Sequence, residues 1–200
     1  MRELVRMVVT LVVISLLAGL VLAVTNKATK EPIEKARKAE LESGLKKVLP
    51  PTDNNLLETT FSTNLGGREW TFYIGKYKGQ YVGSAVKSYS DNGYGGRIEV
   101  IIGITTGVTI HAVSILKSNE TPGLGSKVTE PDFLNQFKGR RCEQDTKWIS
   151  IKKDGGEIQA ITGATISSRA VTEAIKKAVD AYISCRTSLE NISLQEKTSP

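Results

Sequence analysis

The chain has 200 residues, 40% hydrophobic and 24% charged, which suits one ordinary globular domain and is too aliphatic for a disordered chain. Its formal net charge of +6 comes from basic residues spread along the chain and interleaved with acids, as in "EPIEKARKAELE", which argues against nucleic acid as a partner. His111 is the only histidine, and Cys142 and Cys185 have no Cys or His at ligand spacing, so no metal site is expected.

After a short flank at residues 1–6, the run from Met7 to Thr25 carries no charge and is nearly all aliphatic. A bilayer core takes about 20 such residues as one helix, so residues 7–25 are read as a single-pass transmembrane anchor. The competing reading is a cleavable signal peptide ending near Val21-Leu22-Ala23, but the run exceeds the roughly 7–15 apolar residues of a signal segment. Arg2 and Arg6 precede the span, and Lys27, Lys30, Lys35, Arg37 and Lys38 follow it. A count of basic residues puts the C-terminal side in the cytoplasm, yet long domains translocate largely regardless of charge, so charge leaves the sidedness open.

Residues 26–50 place Ile33, Ala36, Leu41, Leu45 and Val48 at helical intervals, with Pro50 and Pro51 ending the pattern, and predict an amphipathic connecting helix. One domain is expected from 51 to 186. Within it "REWTFYIGKY" and "QYVGSAVKSY" flank Lys78-Gly79, and "RIEVIIGIT" and "VTIHAVSIL" flank Thr106-Gly107, which predicts two antiparallel β-hairpins. Lys117 to Lys127 reads as an irregular loop. A short helix follows over Asp132 to Phe137, entered through Pro131. Val171, Ala174, Ile175, Ala178, Val179 and Tyr182 recur with helical period. Residues 187–200 are polar and read as a frayed tail. Helix, strands, helix, without an internal repeat, gives an α+β class with flanking helices.

The entry to that last helix reads "ITGATISSRAV", Ile161 to Val171. A helix start leaves about four N–H groups unpaired and carries partial positive charge, so an anion is stabilised there. Ser167 or Ser168 can cap, Gly163 lets backbone approach closely, and Thr162 and Thr165 supply hydroxyls. The plain reading is a capped helix start with hydroxyl-rich flanks; the sharper one is a phosphate seat. Neither a Walker loop nor a G-x-G-x-x-G fingerprint is present, which disfavours a diffusible nucleotide.

"TGATISS" (162–168), with "NETPGLGSK" (119–127) and "GYGGRIEV" (93–100), resembles the FMN-binding domain of the G subunit of the Rnf electron-transport complex. The C subunit of sodium-pumping NADH:quinone reductase shares that domain. The resemblance runs from the anchor to about Tyr182 with the motifs in the family's order, and the compact chain is more similar to the G subunit. It implies FMN joined to Thr165 by a phosphoester installed by a flavin transferase, with Thr162, Gly163, Ala164 and Ser167 around the attachment. It also implies that Glu120, Thr121, Gly123, Leu124 and Gly125 line the flavin, with Leu124 packing on the ring. Gly93, Tyr94, Gly95 and Gly96 form either a strand-entry turn whose glycines take positive φ or part of the cofactor site, where Tyr94 stacks or simply packs. The chain departs from the family at Gln159, usually acidic, which bears on the transferase more than on the bond.

Carried further, the resemblance implies an electron-carrier subunit of an ion-translocating ferredoxin:NAD oxidoreductase, with the domain on the outer face of the cytoplasmic membrane. Its partners are then the other Rnf subunits, especially the membrane-embedded D subunit. No catalytic residue is expected, since the flavin performs the chemistry and Thr165 is a nucleophile only when the ester is made. The alternatives are the C-type subunit of the quinone reductase and a cofactor-free tethered binding or assembly domain. His111 lacks a partner for catalysis, Trp70 and Trp148 read as packing residues, and Lys152 and Lys153 beside Asp154 read as solvated turn charge. Cys142 and Cys185 are either isolated thiols or, outside the cell, a pair.

Overall fold

The computed structural model describes residues 1–142 and 145–195, with side chains to residue 189. It divides into two units, residues 1–40 and 41–200.

The first unit lies on helix α1, Arg2–Val48, which continues through Pro32. The anchor and the connecting segment are thus one helix. Leu11, Leu16 and Leu22 are 69%, 68% and 70% exposed, and the helix is long and apolar enough to cross a membrane. The amphipathic pattern expected over residues 26–50 is only partly used. Ile33 and Ala36 are exposed, Leu41 is half-buried, and Leu45 and Val48 are buried.

In the second unit five strands form an antiparallel meander in chain order: β1 (Thr60–Leu65), β2 (Arg68–Tyr77), β3 (Gln80–Gly93), β4 (Gly96–Thr105) and β5 (Ile110–Lys117). Both predicted hairpins are present. At the β2–β3 turn Lys78 and Gly79 have φ of 52° and 72°, the left-handed pair that matches the twist of a tight hairpin. Strand β1 escaped the sequence reading because "TFSTNL" has only Phe61 and Leu65 as large apolar side chains, both half-buried. The pairing of β3 with β4 through residues 93–96 joins the two hairpins into one sheet.

Helix α2 is short, Pro131–Leu134, with proline in its first turn, and covers less than the expected 132–137. Helix α3, Thr165–Gln195, lies on one sheet face. Its stripe of Val171, Ala174, Ile175, Ala178, Val179 and Tyr182 packs with Phe72, Val86, Val100, Ile102 and Ile104 in the main core. The tail expected to fray after Arg186 is helical to Gln195, because Cys185 and Leu189 extend the buried stripe by two more contacts; residues 196–200 lie outside the described ones.

The opposite sheet face is covered over part of its length by the end of α1, where Leu45, Val48 and Leu49 pack on Ala85 and Ile101. A Cβ at Gly103 would collide with the Val48 carbonyl oxygen, so the helix end lies directly on β4 backbone. The rest of this face is polar. Lys87 pairs with Glu99 at 2.6 Å, and the Arg68 and Arg97 guanidinium groups sit 4.1 and 4.2 Å from the Tyr89 ring centroid. An antiparallel sheet tolerates such one-sided solvation.

Cys142 and Cys185 are free and buried. Burial pushes the Cys142 thiol up to about 12, with Arg140 opposing and Asp180 adding to the rise. Trp70 is buried in the main core, and Trp148 packs on Phe137 beneath Arg140. His111 is half-buried on β5. Lys152 and Lys153 are exposed, but Asp154 faces Arg169 of α3, not the lysines.

Candidate functional site

Three segments remote in sequence converge at the N-terminal end of α3. The first is the turn joining β3 to β4. Of its glycines only Gly96 has positive φ, at 97°, so the expectation of positive φ throughout "GYGG" is corrected. Tyr94 is 72% exposed at its tip. The second is the loop after β5, which closes on itself: the N–H groups of Leu124 and Ser126 donate to the Thr121 carbonyl, and that of Gly123 donates to Ser126 Oγ at 2.9 Å. It then runs into a single tight helical turn, Gly125–Thr129.

The third segment is the head of α3. The helix starts at Thr165, and neither Ser167 nor Ser168 caps it, contrary to the sequence expectation. Ser168 lies inside the first turn: its N–H and hydroxyl both donate to the Ala164 carbonyl, and its Oγ accepts the Ile161 N–H at 3.0 Å. Ser167 donates its hydroxyl to Glu120 Oε2 at 2.6 Å. With Ala164 at the cap position, the N–H groups of Thr165, Ile166 and Ser167 have no acceptor within the helix. They leave a partial positive charge beside the Thr165 hydroxyl.

Together the segments enclose a cleft of about 470 Å³ lined by Tyr94, Glu120, Thr121, Leu124, Gly125, Gly163, Ala164, Thr165, Ile166 and Ser167. Thr162 and Gly123, expected at the site, are exposed and do not line it. Ile166 was missed because it stands outside the helical stripe; its one signal is an isoleucine left 48% exposed. Tyr94, Leu124 and Ile166 are exposed large apolar side chains, and among the described residues of this unit only Tyr77 joins them. The charged group in the lining is Glu120, 7% exposed; its Oε1 accepts the Gly95 N–H at 3.1 Å. Gly125 is required by close approach, since a Cβ there would meet Glu120 Oε2 at 2.6 Å and Ser167 Oγ at 2.8 Å.

Around the cleft, further polar contacts fix the segments. Arg169 forks onto Asp154 at 2.6 and 2.8 Å, which lowers the Asp154 carboxyl and raises the Arg169 guanidinium. Glu173, about two turns into α3, accepts from Ser90 Oγ at 2.7 Å and Asn92 Nδ2 at 2.8 Å and pairs with Lys177 at 2.5 Å. Burial raises the Glu173 carboxyl, and the hydrogen bonds of Lys177, Ser90 and Asn92 together lower it further than that. Gln159 has an exposed side chain, and its backbone is clamped by Gln136, whose Oε1 accepts the Gln159 N–H at 2.7 Å.

The lining holds no histidine, cysteine, lysine or arginine. What it offers is an apolar rim, the hydroxyls of Thr121 and Thr165 and a row of N–H groups without a helical acceptor, which suits a flat aromatic group carrying a phosphate. The FMN-binding domain family matches residues 93–180, the span that contains all three segments. The G subunit of the ion-translocating oxidoreductase complex of Aliivibrio fischeri is 31% identical over 199 residues, covering 94% of each chain. This chain belongs to the G-subunit family. The G subunit of the Na(+)-translocating ferredoxin:NAD(+) oxidoreductase complex of Acetobacterium woodii is 34% identical over 183 residues, 86% of this chain and 88% of that one. The crystal structure of Shewanella oneidensis NqrC shares the fold, with a TM-score of 0.50 and 19% identity over 76% of this chain and 74% of that one. As a G subunit with an FMN-binding domain, the protein is a membrane-associated redox subunit of an ion-translocating oxidoreductase complex, with FMN as its cofactor and the other subunits as its partners.

Proposed function

We propose that this G subunit relays electrons through FMN held covalently by a phosphoester to Thr165. The observation that carries the reading is the coincidence of three exposed apolar side chains, Tyr94, Leu124 and Ile166, with the Thr165 hydroxyl in one cleft. An isoalloxazine ring covers apolar surface that a soluble domain does not otherwise leave open. A phosphate on Thr165 lies beside the N–H groups at the head of α3. The flavin, once bound, supplies the electron chemistry. The chain's own residues hold it: Thr165 by the bond, Leu124 and Ile166 by apolar contact, Thr121 and the loop backbone by polar contact, and Tyr94 as a flanking ring. No side chain in the cleft is placed to act as acid or base during turnover.

Thr165 is the nucleophile once, when a flavin transferase makes the ester: its oxygen attacks the phosphorus of an activated flavin phosphate, the bond to the activating group breaks as that group leaves, and the hydroxyl proton goes to a base of the transferase. The electron path is then that of a ferredoxin:NAD oxidoreductase, as in the name of the Acetobacterium relative, with the membrane-embedded D subunit as neighbour and the domain on the outer face of the cytoplasmic membrane. Identity of 31–34% along most of the chain to named G subunits favours this over the quinone-reductase C subunit.

The test is in-gel fluorescence of the denatured full chain made together with the transferase. Wild type glows and Thr165→Ala is dark, and the tryptic peptide Asp154 to Arg169 gains the mass of FMN less water. A colourless wild type overturns the reading and leaves a cofactor-free tethered domain in its place.

A further inference from the structure

Family resemblance gives Glu120 to the flavin, yet both of its carboxylate oxygens are engaged within the protein. Oε2 accepts the Ser167 hydroxyl at 2.6 Å and Oε1 accepts the Gly95 N–H at 3.1 Å. Glu120 is 7% and Ser167 2% exposed, so these bonds are made away from competing water. A serine hydroxyl has one proton to donate, and here it goes to Glu120; a phosphoester has no proton to give Ser167 in return. An ionised carboxylate likewise only accepts, and offers a phosphate nothing. The charge is well placed for another role, since Ser167 belongs to the first turn of α3, whose positive end favours a carboxylate. The tie spans the chain: Glu120 lies 25 residues from Gly95 and 47 from Ser167.

We propose that Glu120 is a positioning residue that clips the Tyr94 turn to the head of α3 and so fixes the opening of the cleft. The Ser167 hydroxyl is its partner in the clip, not a phosphate ligand. The functional meaning rests on the reading that Thr165 carries the flavin; the clip itself belongs to the chain without it. Glu173 holds the end of β3 just before that turn through Ser90 and Asn92, so Glu120 supplies the bond nearest Tyr94.

The experiment is residue-level hydrogen exchange on the full chain made without the transferase, for wild type, Glu120→Ala, Glu120→Gln, Ser167→Ala and the Glu120→Ala/Ser167→Ala pair. Loss of a hydrogen bond to a charged group predicts about tenfold or faster exchange. In Glu120→Ala this is confined to the Gly95 amide, which donates to Glu120, and the Ser168 amide, which donates to Ala164 in the first turn of α3, and the α3 stripe stays at the wild-type rate. Glutamine keeps an acceptor for Gly95 and a donor for Ser167 Oγ but not the charge, so Glu120→Gln recovers most of the wild-type protection. Ser167→Ala speeds exchange at the Ser168 amide, and the double variant adds nothing there to Glu120→Ala.

In the flavin-loaded chain, flavin fluorescence anisotropy falls in Glu120→Ala and returns in Glu120→Gln. Unchanged exchange in Glu120→Ala, an increase spread evenly over the domain, or a Glu120→Gln no better than alanine overturns the proposal. Should Glu120→Ala not fold, wild-type exchange at the Ser168 amide in Ser167→Ala overturns it equally. A wild type that never loads flavin refutes the Thr165 reading alone, because the exchange rates still decide the clip.

Discussion

The stripe of α3 and its first turn belong to one helix but are held in opposite ways. From Val171 to Leu189 the helix is fixed by apolar side chains, each touching several others in the core under the sheet. At Thr165 to Ser168 it is fixed by single hydrogen bonds, one to Glu120, 47 residues away, and one to Ile161 in the turn that enters the helix. Stability resides in the first region, where loss is graded and shared. Cofactor geometry resides in the second, where one atom decides. Substitutions in the two regions should therefore separate stability from flavin loading.

The largest effect on stability is expected in the stripe. Ile175→Ala removes a fully buried side chain and costs about 2–5 kcal/mol in urea unfolding, while in-gel flavin fluorescence below the melting temperature stays at the wild-type level. Gly125→Ala drives a methyl group against the clipped Glu120 carboxylate and costs about 1–3 kcal/mol; unlike Ile175→Ala, it also reduces flavin loading, read as fluorescence per mole of protein. Tyr182→Phe tests a polar contact inside the packed region. Its hydroxyl meets the Tyr81 hydroxyl at 3.3 Å and the Thr105 carbonyl at 3.4 Å, and its loss costs about 1 kcal/mol or less, again with normal loading.

Acid sharpens the same contrast. The Glu173 carboxyl is lower folded than its ordinary 4.5, so its contribution is complete above that value and is lost as pH falls through the folded value. Urea midpoints taken between pH 7 and pH 3 should fall more steeply for wild type than for Glu173→Gln. The smallest stability effect, within about 0.5 kcal/mol, belongs to Thr165→Ala, which nonetheless abolishes the flavin signal. A Thr165→Ala chain as unstable as Ile175→Ala would show that the two regions are not separable.

The packed region was largely legible in the sequence, because a period of 3.6 over Val171 to Tyr182 and turn residues at Lys78-Gly79 and Thr106-Gly107 are local signals. Where the apolar members thinned, reading stopped early: Cys185 and Leu189 carry α3 past Arg186, and Phe61 and Leu65 alone mark β1. The head of α3 was legible as a place but not as a structure. Ser167 and Ser168 look like caps from their neighbours, and only the fold reveals that one hydroxyl reaches Glu120 while the other turns back to Ala164. No local rule distinguishes a serine that caps its own helix from one that bonds a loop 47 residues away. For the same reason Thr162 and Gly123, inside the motifs, fall outside the cleft, and Ile166, inside a motif but off the helical stripe, lies on it.

The two thiols bear on where such a domain can work. Both are buried, and Cys142 holds its proton to about 12, whereas oxidation and disulfide exchange proceed through an accessible thiolate. The covalent skeleton of the domain is therefore indifferent to the redox poise of its surroundings, reducing or oxidising. A protein whose task is to pass electrons along has, in these two side chains, no ready place to lose them.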